Sequence, residues 1–249
     1  MHLSLALAFL FALPTVAGAQ SLEATEPAEL ERAIHAAGHA GDTAGATALA
    51  ARIDRGLPGP LVSHAVDALA SNGSPPAVTA LLGLARHRRA AVRAHVARSL
   101  GQAHSANARR VLADLLDDPD GSVRSAAAVA LGTVGAQGVL DTVMQAALRG
   151  VPEAAILFAQ QAGAPDIARF LRALGPQGLE ATAPALRILL QREQVPRPSK
   201  LAIVHRLAEI GGALAERLLR EVSASLPPGD PVRRAIDDAL ASAGAGETQ

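Results

Sequence analysis

Between Asp67 and Asp114 the chain carries no acidic side chain, yet seven arginines fall there: Arg86, Arg88, Arg89, Arg93, Arg98, Arg109 and Arg110, with His87, His95 and His104 among them. A guanidinium offers a planar fork of donors that matches carboxylate and phosphate oxygens, and it stays charged at any pH a protein meets. The 23 basic and 23 acidic residues of the chain cancel, so this stretch concentrates positive charge locally without giving the molecule a global field. Arg86, Arg88 and Arg89 are expected to close a helix, where cations complement the dipole by about 0.3–1 kcal/mol each. That accounts for part of the cluster. The excess defines a candidate face for an anionic partner, made of Arg86, Arg88, Arg89, Arg98, Arg109 and Arg110, the partner being an acidic protein or phospholipid head groups. Nucleic acid is not expected, because no aromatic residues are interleaved to stack on bases. Lys200 is the sole lysine, a bias that a GC-rich genome produces without any function.

A second pattern is Glu31, His35 and His39, at successive i, i+4 positions, which puts three potential ligands on one helix face. Gly38 and Gly41 should fray the end of that helix, so the expectation is a solvated polar face and no metal. Nucleophile chemistry finds no support: Gly-x-Ser-x-Gly, Ser-x-x-Lys and His-Glu-x-x-His are all absent. With no cysteine in the chain, disulfides, thiolate zinc sites and cysteine nucleophiles are excluded together. No catalytic residue and no cofactor is assigned.

The elements that position these residues follow from a period of 31. Apolar or small residues recur at Leu30, Leu61, Val92, Val123 and Ala154; at Ile34, Ala65, Val96, Ala127 and Phe158; and at Leu81, Leu112, Val143 and Leu174. Gly101, Gly132 and Gly163 keep the same beat and are expected to close helices. A fixed period of this length marks a solenoid whose units each bury one face against the next. Within a unit the apolar spacing is three and four residues, the signature of amphipathic helices. Five units follow strictly, at roughly 27–57, 58–89, 90–120, 121–150 and 151–176. After Leu174 the phase slips, but helices are still expected over 178–192, 199–210, 212–224 and from Asp230 onward. About seven helix pairs result, with a break between Gln191 and Pro198.

At the amino end, Leu3 to Ala12 is an unbroken weakly polar to apolar run and Ala17-Gly18-Ala19 ends in the small-x-small pattern of a signal-peptidase site. Residues 1–19 are therefore expected to be an export signal, with Gln20 as the mature start and a periplasmic or secreted destination. The segment is too short to span a bilayer, and no other stretch is apolar enough. Residues 20–26 and the tail 244–249 have nothing to pack and are expected to be disordered, which leaves 27–243 as the solenoid. Beyond the signal, the core must be built from Ala, Leu and Val, since Phe158 and Phe170 are the remaining aromatic residues.

The stretch Gly121-Ser122-Val123-Arg124 through Leu131-Gly132-Thr133-Val134-Gly135 is echoed by Val92-Arg93 to Gly101 and by Pro231-Val232-Arg233 to Leu240. It resembles the HEAT-like repeat of the phycobilisome-lyase type. The resemblance implies a right-handed α-solenoid that holds other macromolecules, and it implies that Arg93, Arg124 and Arg233 tie neighbouring repeats through acidic loop residues. Asp118 or Asp120 would serve Arg124, and Asp230 would serve Arg233. The family takes its name from bilin lyases, though most of its sequences are not lyases. The expected function is thus an exported binding or scaffold protein. The alternative is an enzyme or enzyme-associated factor of the lyase-like branch. Some HEAT-repeat proteins are di-iron hydroxylases with His-Glu ligand pairs; His64 and His95 occupy equivalent places here, but Ala65 and Val96 follow them, which removes that chemistry.

Overall fold

A computed structural model describes residues 22–102 and 105–246. The expected signal segment 1–19, His104 and residues 247–249 lie outside the described residues. Among the described residues there are fourteen α-helices and no strand. They are α1 (Pro27–His39), α2 (Thr43–Arg55), α3 (Gly59–Asn72), α4 (Pro75–Leu84), α5 (Ala90–Leu100), α6 (Ala106–Asp114), α7 (Gly121–Val134), α8 (Leu140–Leu148), α9 (Pro152–Gln161), α10 (Ala164–Ala173), α11 (Leu179–Gln191), α12 (Arg197–Ile210), α13 (Gly212–Ser225) and α14 (Pro231–Gly246). Short 3-10 turns occupy Leu115–Asp117 and Pro176–Gly178. The break expected before Pro198 is the loop between α11 and α12.

The chain divides into two compact units, Met1–Arg88 and Arg89–Gln249. The first holds two helix pairs, with α1 packed on α3 and α2 on α4. The second holds five. There the first helices of each pair, α5, α7, α9, α11 and α13, pack consecutively into one layer, and second helices pack alongside them, α6 on α8, α10 on α12 and α12 on α14. Stacked antiparallel pairs in two layers are the architecture of an α-solenoid.

The residues of the 31-residue ladder form the core between the layers. Val92, Val96, Val123, Ala127, Ala154 and Phe158 are all buried, as are Leu112 and Val143 on the second helices and Leu174 just past the end of α10. Phe158 and Phe170 meet at 5.0 Å between ring centroids, tilted by 31°. Because most other core positions are alanine, leucine or valine, helices approach closely. The limit is reached at Gly101, where an added Cβ would fall 2.9 Å from the Cβ of Ala130 on the next first helix.

Three local expectations are revised. Gly101 ends α5 in ordinary right-handed geometry, with φ of −62°; Gly132 lies inside α7, and Gly163 starts α10 rather than ending α9. Of the three, Gly101 is there to admit Ala130, and the sharp turns use other glycines, such as Gly73 with φ of +65°. Within the segment expected to be disordered, the described residues 22–26 are not without packing: Leu22 is 1% exposed, its carbonyl accepts from Arg52 Nε at 3.1 Å, and Glu23 pairs with Arg55. At the other end, α14 continues through Gly246, three residues into the expected tail, since extending an existing helix needs no new nucleus.

Candidate functional site

The repeat arginines sit in the first turns of their helices, where the guanidinium reaches the connection between pairs. Arg93 grips the Asp118 carboxylate with both prongs, Nε to Oδ2 and Nη2 to Oδ1, each at 2.7 Å. The two side chains are 14% and 6% exposed. That hydrogen bond holds the Asp118 carboxyl below the usual carboxylate range, against burial, which pushes it up. Arg124 does not take the Asp118 or Asp120 carboxylate. Its Nη1 donates to the carbonyls of Asp118 and Pro119 at 3.0 and 3.2 Å, and its Nε lies 3.6 Å from Glu153 Oε2 at the start of α9. Arg233 donates to the Leu226 carbonyl at 3.0 Å, while the Asp230 carboxylate accepts from the backbone N–H of Val232 at 2.7 Å instead. All three aspartates expected as partners lie in the connection just before their arginine's own helix, so Asp118 meets the arginine of the preceding pair, Asp120 accepts from Ser122 at the start of α7, and Asp230 caps α14.

Other arginines do related work without a sequence signature. Arg192 donates to the carbonyls of Ala159 and Ala162, and Arg206 Nη2 to that of Leu174 at 2.6 Å. Each satisfies carbonyls left unpaired at the end of a helix in the preceding pair. Much of the arginine content is therefore structural.

The six arginines of the candidate anion face divide between the units, Arg86 and Arg88 in the first and Arg89, Arg98, Arg109 and Arg110 in the second. Arg86, Arg88 and Arg89 do not close a helix as expected: α4 stops at Leu84, and its last turn is tightened by Arg86 N–H to the Gly83 carbonyl at 3.1 Å. Arg89 is instead the N-cap of α5, an end where positive charge opposes the dipole. Arg86 lines a groove of about 350 Å³ between α2 and α4 that also contains Asp54, so the stretch without acids in sequence meets an acid in space. In the second unit Arg98 is exposed on α5, with Nη2 3.3 Å from His95 Nδ1. Arg110 is exposed on α6 and donates to Asn107 Oδ1 at 3.3 Å, while Arg109 is half-buried.

Sequence reasoning missed the neighbour of Arg98. Among the described residues the two exposed large apolar side chains are Val129, 70% exposed, and Ile156, 36% exposed. They stand on α7 and α9, adjacent helices of the first-helix layer. Ser125, one turn before Val129, donates to Glu153 Oε1 at 3.2 Å, and Ile156 is nearly one turn after Glu153, so the two apolar side chains share a patch. Arg98, Val129 and Gln160 are 31 residues apart and all exposed. The second-helix side is different, since Arg169 bridges from α10 to Asp141 of α8 at 2.8 Å and Arg149 pairs with Asp117 at 2.7 Å. The exposure period of 31 was present in the sequence; nothing there marked which face it lay on.

In the first unit, Glu31, His35 and His39 are not a simple solvated face. With Ile34, Gly38, His64, Asp67, Ala68 and Ser71 they line a pocket of about 230 Å³ between α1 and α3. His64 Nδ1 lies 3.1 Å from Glu31 Oε1, and the rings of His35 and His39 stack at 4.9 Å. The end of α1 does not fray, because Gly38 is buried against Ala68, where a Cβ would come within 2.9 Å of the Ala68 Cα. Among the described residues no group of three or more histidine or acidic side chains is placed to hold a metal ion, and no helix is long and apolar enough to cross a membrane.

Residues 80–162 match the family model for HEAT repeats. This stretch is a run of HEAT repeats. It spans α5 to α9 and so includes Arg93, Arg98, Val129 and Ile156. HEAT repeats suggest a protein-interaction scaffold. No curated protein matches the chain. Among solved structures, the chain is similar to the complex of CpcE and CpcF of phycocyanin lyase from Nostoc sp. PCC7120, at 18% identity over 91% of this chain and 93% of that one, with a TM-score of 0.45. It is also similar to an engineered protein at 18% identity, over 92% of this chain and 96% of that one, with a TM-score of 0.31.

Proposed function

We propose that the protein is an exported scaffold, periplasmic or secreted, that holds a protein partner on the first-helix face of its HEAT repeats, with arginines of the acid-poor stretch adding affinity for an anionic partner. The observation that carries this reading is the patch of Val129 and Ile156 beside the Arg98 row. Single exposed apolar residues are ordinary, but these two share one patch on packed neighbouring helices, with a cation one helix away. Contact with a partner removes the apolar area from water, at about 25 cal/mol per Å². The arginine adds charge complementarity and faster association.

The test is capture by the chain starting at Gln20 from an extract of its own cells. Beside it run a Val129→Asp, Ile156→Asp variant and an Arg98→Glu variant, all checked for helicity by circular dichroism. The expected result is a specific protein retained by the native chain and lost from the apolar-patch variant, with weaker capture by the arginine variant. Equal capture by all three removes this face from the reading. The export reading is tested separately by the mass of the protein in periplasmic and medium fractions, which should place Gln20 first; a full-length chain confined to the cytoplasm refutes it. The alternative, an enzyme or enzyme-associated factor, predicts instead that changing one of His35, His39 or His64 to Ala abolishes the cellular function while capture persists.

A further inference from the structure

We infer that the first-helix face of the second unit takes an extended acidic segment of a partner polypeptide, in which a carboxylate meets Arg98, an aliphatic side chain three residues on meets Val129, and a polar group three residues further meets Gln160. The inference rests on the scaffold reading and names the chemistry of its ligand.

Spacing is the first argument. Helices α5, α7 and α9 begin at Ala90, Gly121 and Pro152, in strict register, and they pack consecutively. Equivalent residues on packed helices are separated by an interaxial distance of roughly 8–10 Å. A polyproline-II strand advances about 3.1 Å per residue with three residues per turn, so every third side chain returns to the same side after about 9 Å. The two spacings agree. An extended segment crossing the helices therefore places one side chain in three over each helix in turn. A helical ligand lacks this match, because its contact face repeats every three to four residues over about 5.4 Å.

The order of chemistry along the row is the second argument. Arg98 is a cation on a stretch of α5 and α6 where acidic side chains are absent up to Asp114, so an incoming carboxylate meets no nearby repulsion from that part of the chain. Val129 offers apolar surface at the centre, Ile156 extends it on α9 one turn before Gln160, and Gln160 can both donate and accept. A phosphate-rich surface such as a membrane would gain only at Arg98 and would lose solvation over the apolar centre. The row thus favours a polypeptide over a lipid head group.

The experiment selects random 12-residue peptides displayed on phage against the chain starting at Gln20, then measures synthetic peptides from the selected set by fluorescence anisotropy. The expected result is enrichment of Asp or Glu three residues from Leu, Ile or Val. Val129→Asp should weaken binding about tenfold or more, and Arg98→Glu likewise, with the latter rescued by exchanging the peptide carboxylate for lysine. Both sites are exposed, so the variants should melt like the native chain. Peptides that bind equally to Val129→Asp, that show no such spacing, or that are not rescued by the charge exchange overturn the inference. Binding of phosphatidylglycerol vesicles through Arg98 with no peptide selected also overturns it. In each of those cases, persistence of the Val129-dependent protein capture described above leaves the scaffold reading standing.

Discussion

At the residue scale, the Arg93–Asp118 pair ties one helix pair to the next and is mostly withdrawn from water. Breaking one side strands the other charge, so Arg93→Ala should cost about 2–3 kcal/mol in chemical denaturation. The same pair carries a pH signature. The Asp118 pKa is lowered in the folded chain, chiefly by its hydrogen bond to Arg93. A group whose folded pKa is depressed contributes stability above its unfolded pKa, near about 3.9 for aspartate, and loses that contribution as pH falls through the folded value. Thermal melts should therefore fall on acidification below about pH 4, and Asp118→Asn should flatten part of that dependence. In the core, Phe158→Ala removes a ring packed at a tilt against Phe170 and should cost about 3–5 kcal/mol.

At the scale of the elements, helix spacing rather than helix propensity decides stability. Gly101 has a φ of −62°, so alanine fits its backbone, but the added Cβ would strike Ala130 at 2.9 Å. Gly101→Ala should therefore destabilise by about 1–3 kcal/mol, and Ala130→Gly in the same chain should recover part of it. Had the glycine served only to end its helix, the alanine variant would be neutral or slightly stabilising. Capping supplies a smaller and separable contribution. The Ser105 hydroxyl accepts from the Ala108 N–H at 3.1 Å at the start of α6, and Ser105→Ala should cost about 1 kcal/mol.

At the scale of the whole molecule, neutrality and repetition shape behaviour. Each compact unit has its own core, and the second, from Arg89, contains five of the seven helix pairs. Expressed by itself, that unit should give a helical circular dichroism spectrum and a cooperative melt; an unfolded product would show that its core depends on the first unit. Ligand binding to the Arg98 row should weaken with added salt but not vanish, because screening acts on the arginine and not on the apolar patch. A loss of all binding at high salt would assign the affinity to charge alone.

The sequence by itself determined the repeat, the helix pairs and most of the core. Burial of Val96, Ala127 and Phe158 follows from their spacing, because a helix that must bury one face at a fixed beat writes that beat into its residues. The unit bounds read at 27, 90 and 121 coincide with the starts of α1, α5 and α7. Tertiary structure decided the pairings. Whether Asp118 meets Arg93 or Arg124 depends on which way a loop side chain faces between two repeats, and period alone does not distinguish them. His64 joins His35 and His39 around one pocket only because α1 packs on α3. Val129 likewise reads in sequence as one more aliphatic residue of an amphipathic helix, and only its place on the outer face of α7 shows it exposed.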